Sequence, residues 1–336
     1  MNFKSILILV LTGLLISCGS SDQGQEIVVT ENEQVQGRGE GKDNWWDNLP
    51  RDHWGKFERV ELPEDQGWFE VYKITDRIYA LYEMGQFEEV ISYLILGSER
   101  ALLFDTGIGV GDIRSLVTAL TDLPVSVLNS HTHYDHVGGN YLFNRIYGTG
   151  TDYTKNHENG RPNEEVREFV GPGWVWKDMP NEVTVDNYTS KPFKVTDIVN
   201  DGFVIDLGDK TLEVFLVPGH TPDALVLLDR RDRLLFMGDT FYPASLYAHM
   251  GDANFGDYVA SAKRLSEMAQ DVDILLPAHN EPWVPSEYLN AMYQGFLDIQ
   301  KPGAEYRITD GDREYRFDGF TIMVSDPAPW EIEEEE

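Results

Sequence analysis

Four short apolar runs in this chain each stop at a residue type that binds metal ions, and this repeated junction constrains the fold more than any other feature. VSVLNS (125–130) runs into HTHYDH (131–136), LEVFLVPG (212–219) into His220, RLLFMG (233–238) into Asp239, and ILLPA (274–278) into His279. Short apolar runs bounded by Gly, Pro and polar turns read as buried strands. Strands laid side by side bring their ends to one sheet edge, where a rigid framework positions loop residues for chemistry. Of the 8 histidines, His131, His133, His136, His220 and His279 sit at these junctions. His53, His157 and His249 fall outside the pattern and read as ordinary surface or core residues.

The segments around the junctions fill in an α/β chain. FEVYKIT, RIYALYEM, EVISYLILG and ALLFDTG alternate apolar and polar residues between turn signals, which predicts an antiparallel meander. GDIRSLVTAL spaces Ile113, Leu116, Val117 and Leu120 for one helix face, and Pro124 follows its end. Residues 151–200 interrupt the strands with polar loops and the aromatic cluster GPGWVWKDMP. They read as an insertion or lid, with Trp174 and Trp176 either lining the site or plugging a loop onto the body. EYRITDG, REYRFDG and FTIMV predict a β-hairpin appendage over 301–336 that ends in acidic residues.

The start of the chain predicts export. Lys4 precedes ILILVLTGLLIS, which matches the core of a signal peptide over residues 1–17 and is short of the ~20 residues that span a bilayer. LISC resembles the lipobox of bacterial lipoproteins, so Cys18 is expected to carry lipid and to anchor the protein to a membrane, periplasmic or at the cell surface. Cys18 is the only cysteine, which excludes an intramolecular disulfide and a catalytic thiolate. A polar, acidic, Gly- and Gln-rich stretch then predicts a disordered tether over 18–60, followed by one large domain over 61–300. With 27 Lys+Arg against 58 Asp+Glu, the formal net charge of −31 repels a phosphate backbone and argues against nucleic-acid partners.

Spacing within HTHYDH suggests how the ligands divide. Residues i and i+2 of an extended segment face the same way, so His131 and His133 suit one ion. The turn that follows aims Asp135 and His136 at a second, and Asp239, with two carboxylate oxygens, suits a bridge. His220 then joins the first group and His279 the second.

HTHYDH, PGHTP, GDT and PAHN, in that order, resemble the metallo-β-lactamase superfamily over roughly residues 68–298. The resemblance implies a four-layer αβ/βα sandwich, two mixed β-sheets packed face to face with helices outside and the metal site along one edge. It implies the same seven-ligand division, and it makes Asp105, at the end of ALLFDTG, an orienting partner of a ligand imidazole. It also implies that Gly138 and Gly139 allow close approach of the segment after the motif.

The chemistry expected of such a site is hydrolysis. Two divalent ions, zinc foremost with iron or manganese as alternatives, ionise a bridging water near neutral pH and stabilise the developing oxyanion. Asp135 orients the nucleophile or relays its proton. The substrate is expected to be a small acyl compound. β-Lactam-destroying branches usually carry Cys or Ser where this chain has Asp239, so the ligand set is more similar to glyoxalase II, lactonases and thioesterases. GDTFYPASLYA and FGDYVASAKRL are similar to acyl-coenzyme A thioesterases, although export separates the protein from that cytosolic substrate. Tyr134, Tyr242 and Tyr247 stand near enough in sequence to line a pocket, and the last two to donate to an oxyanion. A β-lactamase, a mononuclear iron sulfur dioxygenase and a non-catalytic metal-binding lipoprotein remain as alternatives, and the oligomeric state is open.

Overall fold

The computed structural model describes residues 45–180 and 182–331. The leader, Cys18 and residues 332–336 lie outside that range, and among the described residues no helix is long and apolar enough to cross a membrane.

Two mixed sheets carry the fold. The first runs in chain order: β1 (Glu58–Arg59), β2 (Glu70–Thr75), β3 (Ile78–Tyr82), β4 (Ile91–Leu96), β5 (Ala101–Phe104), β6 (Val125–Leu128), β7 (Ile146–Gly148) and β8 (Asp197–Ile198). Its first five strands form the expected antiparallel meander and the rest continue it in parallel. The second sheet contains β9 (Val204–Asp206), β10 (Thr211–Leu216), β11 (Leu225–Asp229), β12 (Leu234–Gly238), β14 (Ile274–Pro277) and β15 (Val284–Pro285). Its central strands are buried on both faces, which is why they read as continuous apolar runs.

The two sheets share one core, in which Tyr93, Phe104 and Leu128 of the first meet Leu212, Leu227 and Phe236 of the second. Phe236 is fully buried and meets Tyr93 edge-on at 5.3 Å between ring centroids. Helix α1 (Ile113–Leu120) covers the first sheet with Ile113, Leu116 and Val117, and Asp112 caps it by accepting from the Ser115 N–H at 3.0 Å. Three short helices follow: α2 (Tyr134–Val137) within the histidine motif, then α3 (Asp152–His157) and α4 (Asn163–Val166) in the insertion. Helices α5 (Phe255–Glu267) and α6 (Tyr288–Asp298) cover the second sheet.

Two boundaries differ from the sequence reading. The tether expected over 18–60 does not extend that far, because residues 45–60 are folded: Trp54 is fully buried, stacked on Tyr82 at 4.5 Å, and β1 pairs with β2. One buried indole among polar neighbours gives no periodicity from which to foresee this. The C-terminal segment, in turn, is more than an appended hairpin. β16 (Arg307–Thr309), β17 (Asp312–Phe317) and β18 (Phe320–Val324) join β13 (Ser245–Tyr247), the strand after the Asp239 turn, in a third sheet. Tyr315, Phe320, Ile322 and Val324 of this sheet belong to the core under α5 and α6.

Phe236→Ala is expected to destabilise the protein by about 3–5 kcal/mol, whereas Ile198→Ala, at a half-exposed edge position, stays within about 0.5 kcal/mol. Denaturant titration of both variants checks this ordering.

Candidate metal centre

Each ligand-type residue predicted from the junctions leaves the end of a strand or the motif helix. His131 follows β6, His220 follows β10, Asp239 follows β12 directly and His279 follows β14, while Asp135 and His136 occupy the first turns of α2. β6 belongs to the first sheet and β10, β12 and β14 to the second, so the site spans both sheets rather than the edge of one. Ser130 joins them: its carbonyl accepts from the Leu225 N–H at 2.8 Å, and its Cβ would lie 2.3 Å from a Cβ placed on Gly238. Gly238 has φ +51, so a side chain there would be both strained and obstructed. Gly138, in the ordinary helical region, is obstructed only, since a Cβ would meet the Ile108 backbone at 2.2 Å.

The seven side chains converge. His131, His133 and His220 bring one nitrogen each into a common cluster, and so do Asp135, His136 and His279 with their own ligand atoms, all within 4.8 Å. Asp239 lies between the two clusters. Its Oδ2 is 3.5 Å from His220 Nε2 and 4.0 Å from His131 Nε2, while its Oδ1 is 2.9 Å from His279 Nε2 and 3.2 Å from His136 Nε2.

Outer partners fix which nitrogen of each ring faces inward. His136 donates from Nδ1 to Asp105 Oδ2 at 3.0 Å, and His279 donates from Nδ1 to the Glu88 carbonyl at 2.6 Å. Ser130 spends its single hydroxyl proton on Asp105 Oδ2 at 2.8 Å, so it accepts from His131 Nδ1 at 3.0 Å. All three rings therefore engage Nδ1 outside and turn Nε2 to the site. His133 faces inward through Nδ1, 2.9 Å from His131 Nε2 and 3.2 Å from His220 Nε2, and its Nε2 faces Asp252 at 3.8 Å. The His133 contact and a hydrogen bond from Tyr153 hold the Asp252 carboxyl at about 2.

This arrangement fits a metal ion. His136 Nε2 and Asp239 Oδ1 are buried and make no hydrogen bond, although they lie 3.2 Å apart. The three nitrogens of the other cluster face one another at hydrogen-bond distance with too few protons to pair them. Burial keeps the His131 imidazole well below its ordinary range and holds His220 at about 4, so both are neutral and ready to ligate. Burial acts the same way on His279, but Asp239 outweighs it and raises that ring to about 9. A cation entering at that end displaces protons, and its binding weakens as pH falls.

The remaining candidate residues occupy distinct places. Asp105 accepts from Ser130 N at 2.7 Å with its other oxygen and has φ +64, a left-handed conformation that aims the carboxylate under the motif. The Tyr134 ring stacks on Phe169 at 4.1 Å, and its hydroxyl donates to Glu88 Oε1 at 3.1 Å. Trp174 packs edge-on against Phe169 and Phe87, both at 5.0 Å, continuing an aromatic wall from Tyr134. The Trp176 indole instead stacks on Trp46 at 4.9 Å and joins the insertion to the N-terminal segment. Tyr242 spends its hydroxyl on the Ser245 carbonyl at 2.7 Å, while Tyr247 is half-buried within the fields of Glu88 and Asp239. His53 pairs with Glu281, His157 packs on Tyr153 and His249 faces Asp312, all outside the clusters. Ser130, Glu88 and Asp252 escape the sequence reading, because a serine or acid that orients a distant imidazole has no spacing signature.

Comparison with known proteins places the family and the fold. A family model described as the metallo-beta-lactamase superfamily matches residues 87–279. The chain is 27% identical over 235 residues to human acyl-coenzyme A thioesterase MBLAC2, covering 63% of this chain and 81% of that one. It is 26% identical over 156 residues to a hydroxyacylglutathione hydrolase of Francisella tularensis subsp. holarctica, covering 46% and 49%. Among solved structures, a metallo-beta-lactamase from Pontibacter korlensis superposes with a TM-score of 0.51 at 19% identity, covering 68% of this chain and 99% of that one.

Asp105→Asn keeps a residue tolerant of positive φ but removes the charge behind His136 and Ser130. It is expected to weaken metal affinity about 10–100-fold, measured by competition with a chromophoric chelator.

Proposed function

The chain belongs to the metallo-beta-lactamase superfamily of hydrolases, and from that premise we propose that it binds two divalent ions, zinc foremost, and hydrolyses an ester, lactone or thioester at its acyl carbon. The observation that carries this reading is Asp239, whose two oxygens face two different ligand clusters. Bound there, a pair of divalent ions supplies water ionised near neutral pH and a Lewis acid for the carbonyl oxygen.

The chain's own residues do the rest. His131, His133 and His220 hold one ion, Asp135, His136 and His279 the other, and Asp239 serves both. Asp135, buried at the start of α2, orients the attacking oxygen and takes up its proton. Asp105, Ser130 and Asp252 keep the imidazoles aimed, so little reorganisation is needed as charge develops. Tyr134, Phe169, Trp174 and Phe87 offer an apolar wall to the acyl group beside the Asp135 end. With Tyr242 engaged by Ser245, Tyr247 is the better placed of the two to donate to the oxyanion. The names of two relatives, a thioesterase and a hydroxyacylglutathione hydrolase, both describe attack on an acyl compound and favour this class over β-lactams.

The test is a panel of lactones, thioesters, aryl esters and cephalosporins with the metal-loaded protein. Turnover of an ester, lactone or thioester is expected, with removal by chelator and restoration by zinc. His133→Ala and Asp239→Ala are each expected to lower kcat/KM by more than about a hundredfold with the fold retained. No turnover at full metal occupancy, or one bound iron with thiol-dependent oxygen uptake, overturns the reading.

We also propose that the leader exports the protein and that Cys18 carries the lipid anchor. Cys18→Ala is then expected to move the protein from the membrane to the soluble fraction, as read by fractionation.

A further inference from the structure

The folded N-terminal segment precedes the part of the chain that the family model matches, yet it reaches the metal centre. Trp54 anchors it, fully buried between Tyr82 at 4.5 Å and Tyr72 at 5.0 Å. Arg51, just before, extends its guanidinium to the base of the His279 loop. Nη1 and Nη2 donate to Glu89 Oε1 and Oε2, each at 2.9 Å, and Nη1 also donates to the Asn280 carbonyl at 2.9 Å. Asn280 Nδ2 in turn donates to Glu89 Oε2 at 2.8 Å, and the Tyr82 hydroxyl donates to the same carboxylate.

Glu89 and Asn280 are each the chain neighbour of a group that defines the site. Glu88 supplies the carbonyl that receives the His279 Nδ1 proton at 2.6 Å, and Asn280 directly follows His279. Both are non-glycine residues in the left-handed region, with φ 50 and φ 64, a conformation that persists only where surrounding contacts enforce it. A planar fork that bonds a carboxylate through two arms while holding a carbonyl across the gap is such a contact, and lysine, a single-point donor, cannot reproduce it. Without it the fully buried Glu89 carboxylate keeps the hydrogen bonds from Tyr82 and Asn280 but loses its ion-pair partner Arg51, so it is driven toward water, carrying the Glu88 carbonyl with it.

We infer that Arg51 is a positioning residue for His279, fixing both chain segments that orient that imidazole and thereby the cluster of Asp135, His136 and His279. This rests on the two-ion reading above, and the experiment separates the two. The wild type, Arg51→Met, Arg51→Lys and Lys210→Met are dialysed against limiting chelator, analysed for bound metal, titrated with cobalt(II) while the visible spectrum is followed, and melted. Lys210 is the control: it forms a buried ion pair with Asp229 at the start of β10, the end of that strand away from His220, so its loss tests general destabilisation.

The wild type and Lys210→Met are expected to bind two ions, and Arg51→Met to bind one as tightly as the wild type and the second about 10–100-fold more weakly, with an altered cobalt spectrum. Arg51→Lys is expected to fall between, and it carries the test alone if Arg51→Met does not fold. Two ions held with wild-type affinity by the Arg51 variants overturn the inference, as does equal weakening in Lys210→Met. Fewer than two ions on the wild type removes the two-ion reading itself, and the inference with it.

Discussion

Seven side chains of metal-binding type face one another, six of them buried and His133 partly so, and the rest of the structure serves to keep them there. Imidazole lone pairs and carboxylate oxygens crowded in this way repel or go unpaired unless a cation lies among them. The orphaned Nε2 of His136 and Oδ1 of Asp239 are the direct sign of that demand. Asp105 shows how the scaffold meets it: held at φ +64, one carboxylate fixes Ser130 through backbone and hydroxyl, and His136 through its ring. Ser130 passes the constraint on to His131 and, through Leu225, to the opposite sheet.

The sandwich makes this possible because its sheets can be pinned at one rim while their broad faces pack on shared apolar side chains. Phe104, Leu128, Leu227 and Phe236 hold the sheets together by burial. Glycines 138 and 238 then let backbones approach at the rim closer than any side chain permits. The aromatic wall is shared: Tyr134 comes from the motif helix and Phe87 from the loop before β4, while Phe169 and Trp174 come from the insertion, laid against that loop through the Gln86 and Val175 backbone bridge. The residues of metal-binding type thus leave strand ends and the motif helix, while half of the aromatic wall sits in the insertion.

Much of the core and of the candidate ligand set was legible in the residues. The meander, α1 and all four strand-to-ligand junctions follow from apolar runs, helical spacing and Gly/Pro punctuation, and the seven ligands lie together as their types and positions suggested. Three features were not legible. The folding of residues 45–60 hinges on Trp54 finding a slot between Tyr72 and Tyr82, a contact with no local pattern. Trp176 and Trp174 are near neighbours of the same type, yet one plugs against Trp46 and the other builds the wall, because loop geometry sends them in different directions. The C-terminal strands completed a sheet with β13 because an unpaired strand lay open after the Asp239 turn.

By itself the sequence determined the strand ends, the residue types placed on them and hence the kind of chemistry, since these are encoded within a few residues of each site. Only the tertiary structure decided which ring nitrogens face inward, that the site joins two sheets, and that Ser130, Glu88, Asp252 and Arg51 touch the groups around it. Those outcomes depend on distances between residues far apart along the chain, such as Arg51 to Asn280, which packing sets and no spacing in the sequence expresses.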